Sequence, residues 1–174
     1  MRARTLVLVL GVLAGACGGG EGTADATDYS HVMAFDSARV RLVGKRDTFD
    51  LRVELALTPT QKQMGLMERT SLPEGAGMLF VYDSTQASDA GFWMYRTRIP
   101  LDIAFLDSVG VIRSVRTMTP CETTIPQGCK TYTPDVPYQL ALEMGEGYFA
   151  KHGIGVGDSL LLRDLPDSVH RVKP

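Results

Sequence analysis

From Thr48 to Leu57 the chain alternates between polar and apolar residues, and Phe49, Leu51, Val53, Leu55 and Leu57 fall on one side. Successive side chains of a strand point to opposite faces, so such a run buries one face only as a half-buried β-strand. Ala38 to Val43 repeats the pattern, with Val40 and Leu42 set against Arg39 and Arg41. Gly44 and Lys45-Arg46-Asp47 between the two runs supply a hairpin turn. Further strands are predicted over Gly77–Tyr82, Gly91–Tyr95, Asp102–Asp107, Val111–Met118, Tyr138–Met144 and Ser159–Arg163. Asp107-Ser108-Val109-Gly110 and Gly155-Val156-Gly157-Asp158 read as turns. Two short helices interrupt the strands. The first opens with Thr58 as N-cap, Pro59 in the first helical position and Gln61 three residues after the threonine, and Gly65 limits its length. The second covers Glu146 to His152 and stops at Gly153. The predicted fold is mostly β or α+β: a compact antiparallel, barrel-like sheet with two short helices.

The first sixteen residues follow a different rule. Arg2 and Arg4 precede an apolar stretch from Thr5 to Ala16, which is shorter than the roughly 20 residues of a membrane-spanning helix. These are the parts of a secretory signal peptide, spanning 1–16. Leu13-Ala14-Gly15-Ala16-Cys17 resembles a bacterial lipobox, with Ala14 where Leu is usual. The resemblance implies a lipid on Cys17, which becomes the new N-terminus and holds the chain to a membrane. Ordinary secretion, with Cys17 an incidental thiol, is the alternative. Gly18 to Asp28 is rich in Gly, Thr and acidic residues, so 17–31 is expected to be a flexible tether. Residues 32–174 then form a single β-rich domain. Gly18 after the cysteine favours the outer membrane, facing the periplasm, in a bacterium with two membranes.

Composition narrows the chemistry. The chain is 44% hydrophobic and 22% charged, with a formal net charge of −2. It has no basic block, which argues against a nucleic-acid partner. Cys121 and Cys129 are expected to pair, because two cysteines in an exported domain usually do so. Closing so short a loop stabilises by about 2.5 kcal/mol in the chain-entropy picture. The histidines, His31, His152 and His170, are too dispersed to complete a zinc site with them. Met64 and Met67 stand at helical spacing, and thioethers suit Cu(I), but methionine is also a common filler of irregular cores. No phosphate-binding glycine loop and no Ser-His-Asp arrangement is legible. The reading assigns no cofactor, no metal and no catalytic residue.

Four segments carry a family resemblance: Gln63 to Pro73, Gly77 to Val81, Phe92 to Asp107, and Ala141 to Met144 continuing at His152 to Asp158. In this order they resemble the family called domain of unknown function 192, over roughly Leu51 to Leu162. The resemblance implies a compact β-rich fold with short helices, often exported or lipid-anchored, and brings no established activity. Where that family commonly shows Lys-Asn after the Trp-Met pair, this chain has Tyr95-Arg96.

The candidate ligand-binding residues are Arg69, Trp93, Thr97, Asp102 and Glu143. Asp102 and Glu143 each lie in an apolar run, where a carboxylate is desolvated and needs either a raised pKa or a cationic partner. With Arg69 or Arg96 they would form a polar pocket, or else fix the fold as buried ion pairs. Trp93 is a ligand platform or part of the core; of Phe92, Trp93 and Met94, at least two are expected inside. Three functions follow. The first is a binding or accessory module for a small polar ligand or an envelope protein. The second is a hydrolase-like envelope enzyme using Asp102 or Glu143 as acid–base. The third is a purely structural envelope protein.

Overall fold

Alternation is realised as an antiparallel hairpin. β1 (Asp36–Val43) and β2 (Thr48–Ala56) pair in unbroken register, from Asp36 opposite Leu55 to Val43 opposite Thr48. The Gly44 amide closes the turn by donating to the Asp47 carbonyl at 2.9 Å. The protein is described here by a computed structural model covering residues 34–123 and 125–170. The expectations for the signal segment, Cys17, the tether and the last four residues lie outside the described residues.

The body of the sheet adds β3 (Ala76–Gln86), β5 (Leu101–Leu106), β6 (Ile112–Met118) and β8 (Tyr138–Gly145). With β9 (Ser159–Leu160) the seven strands run in the order β6-β5-β8-β3-β2-β1-β9. β4 (Phe92–Trp93) and β7 (Thr131–Tyr132) form a separate two-stranded ribbon. One pairing departs from the antiparallel expectation: β2 and β3 are parallel. The cause is the intervening helix. After β2 the chain makes α1 (Pro59–Met64) and crosses back, and such a crossover returns a strand in the same direction where a tight hairpin cannot.

Closure of the sheet falls to its shortest strand. β9 pairs with β1 through Leu160 opposite Leu42, and Ser159 also bridges Val111 beside β6. On that side the Ile112 amide donates to the Asp158 carbonyl at 2.8 Å, and the Leu160 amide to Gly110 at 2.9 Å. Both edges of the sheet are therefore tied to one strand, and the sheet curls toward a barrel. β9 stops earlier than the predicted Ser159–Arg163 because the chain turns at Leu162–Asp164, where Arg41 grips Asp164 with two hydrogen bonds of 2.8 and 2.9 Å. The two expected helices are present, α1 and α2 (Tyr148–Lys151), and one further turn, α3, covers Asp167–His170.

The core has two layers. Inside the curl, Val40, Leu42, Leu51, Val53, Leu55, Leu79, Leu106, Leu142 and Leu160 form the larger cluster. On the opposite face of β3, β5 and β8 lies a second cluster of Met78, Phe80, Met94, Leu101, Ile103, Phe105 and Tyr138. β5 and β8 are covered on both faces, which explains their nearly continuous apolar runs. The outer cover is irregular chain: the α1 segment with Leu66, and the β4–β7 ribbon with Phe92 and Tyr132. Phe92 stands edge-on to Phe80 and Phe105, with ring centroids 4.9 and 5.7 Å away.

Candidate ligand site

The outer cover leaves a groove, and its walls come from two distant stretches of sequence. One wall is α1 and the turn after it. Thr58 Oγ1 accepts from the Gln61 amide at 3.2 Å, and Gln61 Oε1 accepts from the Thr58 amide at 3.0 Å, the reciprocal cap that the sequence announced. Gly65 ends the helix at a φ of 50°, in the left-handed region that glycine enters without cost. The other wall is Trp93, Tyr95 and Arg96, together with Pro126 from the disulfide-bonded arm. Cys121 and Cys129 are joined, and the Cys121 amide donates to the Met94 carbonyl at 3.3 Å, tying that arm to the wall.

Between these walls lies a groove of about 250 Å³ lined by Thr60, Gln63, Met64, Met67, Trp93, Tyr95, Arg96 and Pro126. A smaller recess of about 30 Å³ shares Gln63, Met64, Met67 and Trp93 with the groove and is lined also by Thr97 and Glu143. That is room for a water molecule or the terminal group of a ligand. Lys62, Phe80 and Phe92 complete the lining of the recess.

Glu143 is the unusual group. It is 4% exposed, lies across from Met78 and Ile103 on the apolar outer face, and burial pushes its carboxyl up to about 8. No hydrogen bond or ion pair from the described residues reaches that carboxyl. At neutral pH it is therefore mostly a neutral acid, able both to donate and to accept a hydrogen bond. Thr97, 6% exposed, brings a hydroxyl to the same recess. It sits in the turn in which its amide donates to the Met94 carbonyl at 3.1 Å. Lys62, partly buried, has its ammonium 4.6 Å from the centre of the Tyr82 ring, and burial lowers its pKa.

The five candidate residues divide three to two. Trp93, Thr97 and Glu143 come together at the groove and recess. Arg69 shares the outer face, but its guanidinium is held by Glu54 at 2.6 Å. Glu54 is opposite Met78, two strands from Glu143 and so about 10 Å away. Asp102 lies on the inner face, because it alternates with Leu101 and Ile103, which point outward. There it accepts a hydrogen bond of 2.7 Å from Thr117 Oγ1. The two carboxylates do not meet. Trp93 is 38% exposed, while Met94 is buried and Phe92 half-buried, so two of the three aromatic-motif residues are inside and the tryptophan is the one outside.

The rim of the groove holds two residues with left-handed backbone: Glu68 at φ 61° and Arg96 at φ 56°. They are coupled. The Glu68 amide donates to the Arg96 carbonyl at 2.8 Å, and the Glu68 carboxylate accepts from Arg96 Nε and Arg98 Nε at 2.6 Å each. Arg96 and then Arg98 hold that carboxyl below its ordinary value. Non-glycine residues in this region are uncommon, and a coupled pair of them beside a groove is a feature of sites held under local strain.

With this geometry in view, comparison with known proteins becomes informative. The sequence profile of the family DUF192, described as an uncharacterised ACR family, matches residues 41–162. The chain belongs to this family. Among solved structures, a protein from Sinorhizobium meliloti, described as a proposed transcription regulator, is 33% identical with a TM-score of 0.65. The match covers 73% of this chain and 94% of that one. A protein of unknown function from Novosphingobium aromaticivorans is 28% identical, with a TM-score of 0.60 over 74% of this chain and 87% of the other. Comparison with curated proteins gave no match.

Several groove residues of this DUF192 domain were not among the five candidates: Gln63, Met64, Met67, Tyr95, Arg96 and Pro126. The available signal was density of motif. Gln63–Pro73 and Phe92–Asp107 are the two longest recognisable segments, and they form the opposing walls. A larger hollow of about 450 Å³ lies between the β1–β2 turn and Ala150–Gly153. It is a polar notch at a hairpin tip. His152 there packs between the rings of Phe49 and Tyr148, at 4.6 and 4.4 Å, and its unbonded Nε2 lies 3.8 Å from a Glu74 oxygen.

Proposed function

We propose that this DUF192 protein is a ligand-binding accessory module of the bacterial cell envelope, exported and anchored through a lipid on Cys17. The observation that carries the binding role is Glu143. A buried carboxyl without a hydrogen-bond or ion-pair partner among the described residues costs stability, and here it lines a small recess beside a mainly apolar groove. Thr97 beside it and the exposed Trp93 at the entrance complete a site with a polar end and an aromatic platform. The signal-peptide pattern and the Cys121–Cys129 bridge support an oxidising compartment outside the cytoplasm.

The enzyme reading retains one acid rather than two, since Asp102 faces the other way. The regulator description of the Sinorhizobium relative is not carried over, because this chain has no basic block for nucleic acid.

The test is a thermal-shift screen at neutral pH against saccharides, nucleotides, organic acids and short peptides, run on the protein and on Glu143→Gln and Thr97→Val. A ligand at a hundred times its dissociation constant adds about 2.7 kcal/mol, a rise of roughly 5–10 °C for a domain of this size. The expected result is a ligand whose shift is lost or greatly reduced in both variants while each still melts cooperatively. A ligand that shifts all three proteins equally would remove the recess from the site.

A further inference from the structure

We infer that the groove takes a small organic carboxylate with an apolar or aromatic body, and that Glu68 occupies the place of that carboxylate in the ligand-free protein. This rests on the groove being the binding site.

The recess and the rim of the groove differ in chemistry. At the recess, Glu143 and Thr97 are uncharged hydrogen-bonding groups at neutral pH. At the rim, Arg96 and Arg98 present two guanidiniums that converge on one carboxylate, Glu68, each donating through Nε at 2.6 Å. The pairs are exposed, with Arg96 at 57%, Arg98 at 61% and Glu68 at 37%. Exchange of one carboxylate for another there requires no unburial, and the gain from exposed pairs of this kind is small enough for a ligand to compete with. Arg96 lines the groove and Glu68 does not. An incoming carboxylate therefore reaches the guanidinium from the groove side, and Glu68 can swing into solvent. Converging guanidiniums are well suited to carboxylate oxygens, and charge-assisted hydrogen bonds of this type are the stronger ones.

The body of the ligand follows from the rest of the groove lining. Met64, Met67 and Pro126 are apolar, and the Trp93 and Tyr95 rings stand 5.9 Å apart at 45°. These surfaces accept an acyl chain or an aromatic ring, and thioethers adapt to either. The strained backbone of Glu68 and Arg96 has a role in this scheme. It holds the two walls at the spacing set by their shared hydrogen bond, so the rim is formed before the ligand arrives.

Trp93 is the single tryptophan of the chain, so its fluorescence reports the groove directly. The experiment titrates the full chain with 3-phenylpropanoate and octanoate, and with their neutral twins 3-phenylpropanamide and octanamide. A tripeptide ending in a free phenylalanine carboxylate, set against its C-terminal amide, separates a peptide terminus from a free acid. The acids should change Trp93 emission and bind about tenfold tighter than the amides. Arg96→Gln should erase that preference, and Glu68→Gln should tighten acid binding by about threefold by removing the internal competitor. Arg98→Gln provides a second variant that leaves Glu68 and the left-handed turn in place. Equal binding of acids and amides would overturn the carboxylate assignment while leaving the groove as a site. Loss of acid binding in Glu68→Gln would overturn the placeholder role. If neither acids nor amides perturb Trp93 at millimolar concentration, this ligand class is wrong, and the groove itself is then judged by the Glu143→Gln thermal shifts.

Discussion

Asp102 and Glu143 are buried to the same degree, each 4% exposed, and stand one register step apart on neighbouring strands. They differ in the face they occupy. Asp102 points into the curl of the sheet, where a threonine on the adjacent strand donates to it. Glu143 points outward, beneath a cover of helix end, ribbon and disulfide-bonded arm, and receives no hydrogen bond from the described residues. The inner face is built from strands in register, which satisfy a polar group through a cross-strand neighbour. The outer face is built from loops, which leave space beside one. A buried acid in a strand thus reports on structure or on function according to what covers its face.

The largest effect expected from this contrast is in the pH dependence of stability. Glu143 keeps its proton in the folded chain up to about 8, and in the unfolded chain releases it near the ordinary 4.5. Between these values the folded state holds the extra proton. The associated stability is fully present below about 4.5 and is lost as the pH rises through about 8. At about 1.4 kcal/mol per pKa unit the loss is on the order of several kcal/mol. Urea denaturation near pH 5 and near pH 9 should show this decline in the protein, and a much flatter profile in Glu143→Gln. Equal slopes in the two proteins would mean that Glu143 is solvated in the folded state, and the contrast between the faces would collapse.

A smaller effect is expected on the inner face. Asp102→Ala removes the acceptor of the Thr117 hydroxyl and should lower stability by about 1.5–3 kcal/mol, the range for a hydrogen bond to a charged group. It should leave any ligand response of Trp93 unchanged, because its side chain faces away from the groove. A folded Asp102→Ala protein that no longer responds to ligand would show that the inner face communicates with the outer one.

Much of this architecture was legible from residue order. Period two placed β1 and β2, and the Thr58-Pro59-Gln61 signature placed the start of α1. The parallel β2–β3 pair was not legible, because alternation defines faces and is silent about neighbours and direction. The same silence misled the site. Asp102 and Glu143 looked alike as acids in apolar runs, and only strand register shows that they point oppositely. Arg69 looked like a partner for them, but Glu54 on β2 takes it. Trp93 and Thr97 were named because they lie in the densest motif segment, and Glu143 because it is an acid in an apolar run; the structure places the three in the lining of the groove and recess. Met64, Met67 and Pro126 are ordinary apolar residues, and their role depends on a groove that exists only once both walls are in place.

The smallest effect lies at the rim, where the outer face holds its strain. Arg96 stands at φ 56° in a position where DUF192 relatives are expected, from the motif resemblance, to carry asparagine. A short polar side chain tolerates the left-handed region far better than a long one, so Arg96→Asn relieves the backbone by up to about 1 kcal/mol. The lost contact to Glu68 is between exposed groups and offsets little of this. The variant should therefore melt at the same temperature or a few degrees higher, and its inner core should be untouched. Its preference for acids over amides should nevertheless fall, because the guanidinium that meets the ligand is gone. Stability and carboxylate preference would then move in opposite directions at one residue, the pattern of a side chain kept for binding at the expense of its own backbone. A marked drop in melting temperature instead would show that the Glu68–Arg96 pair holds the outer cover in place, and the rim would belong with Asp102 among the structural features of the fold.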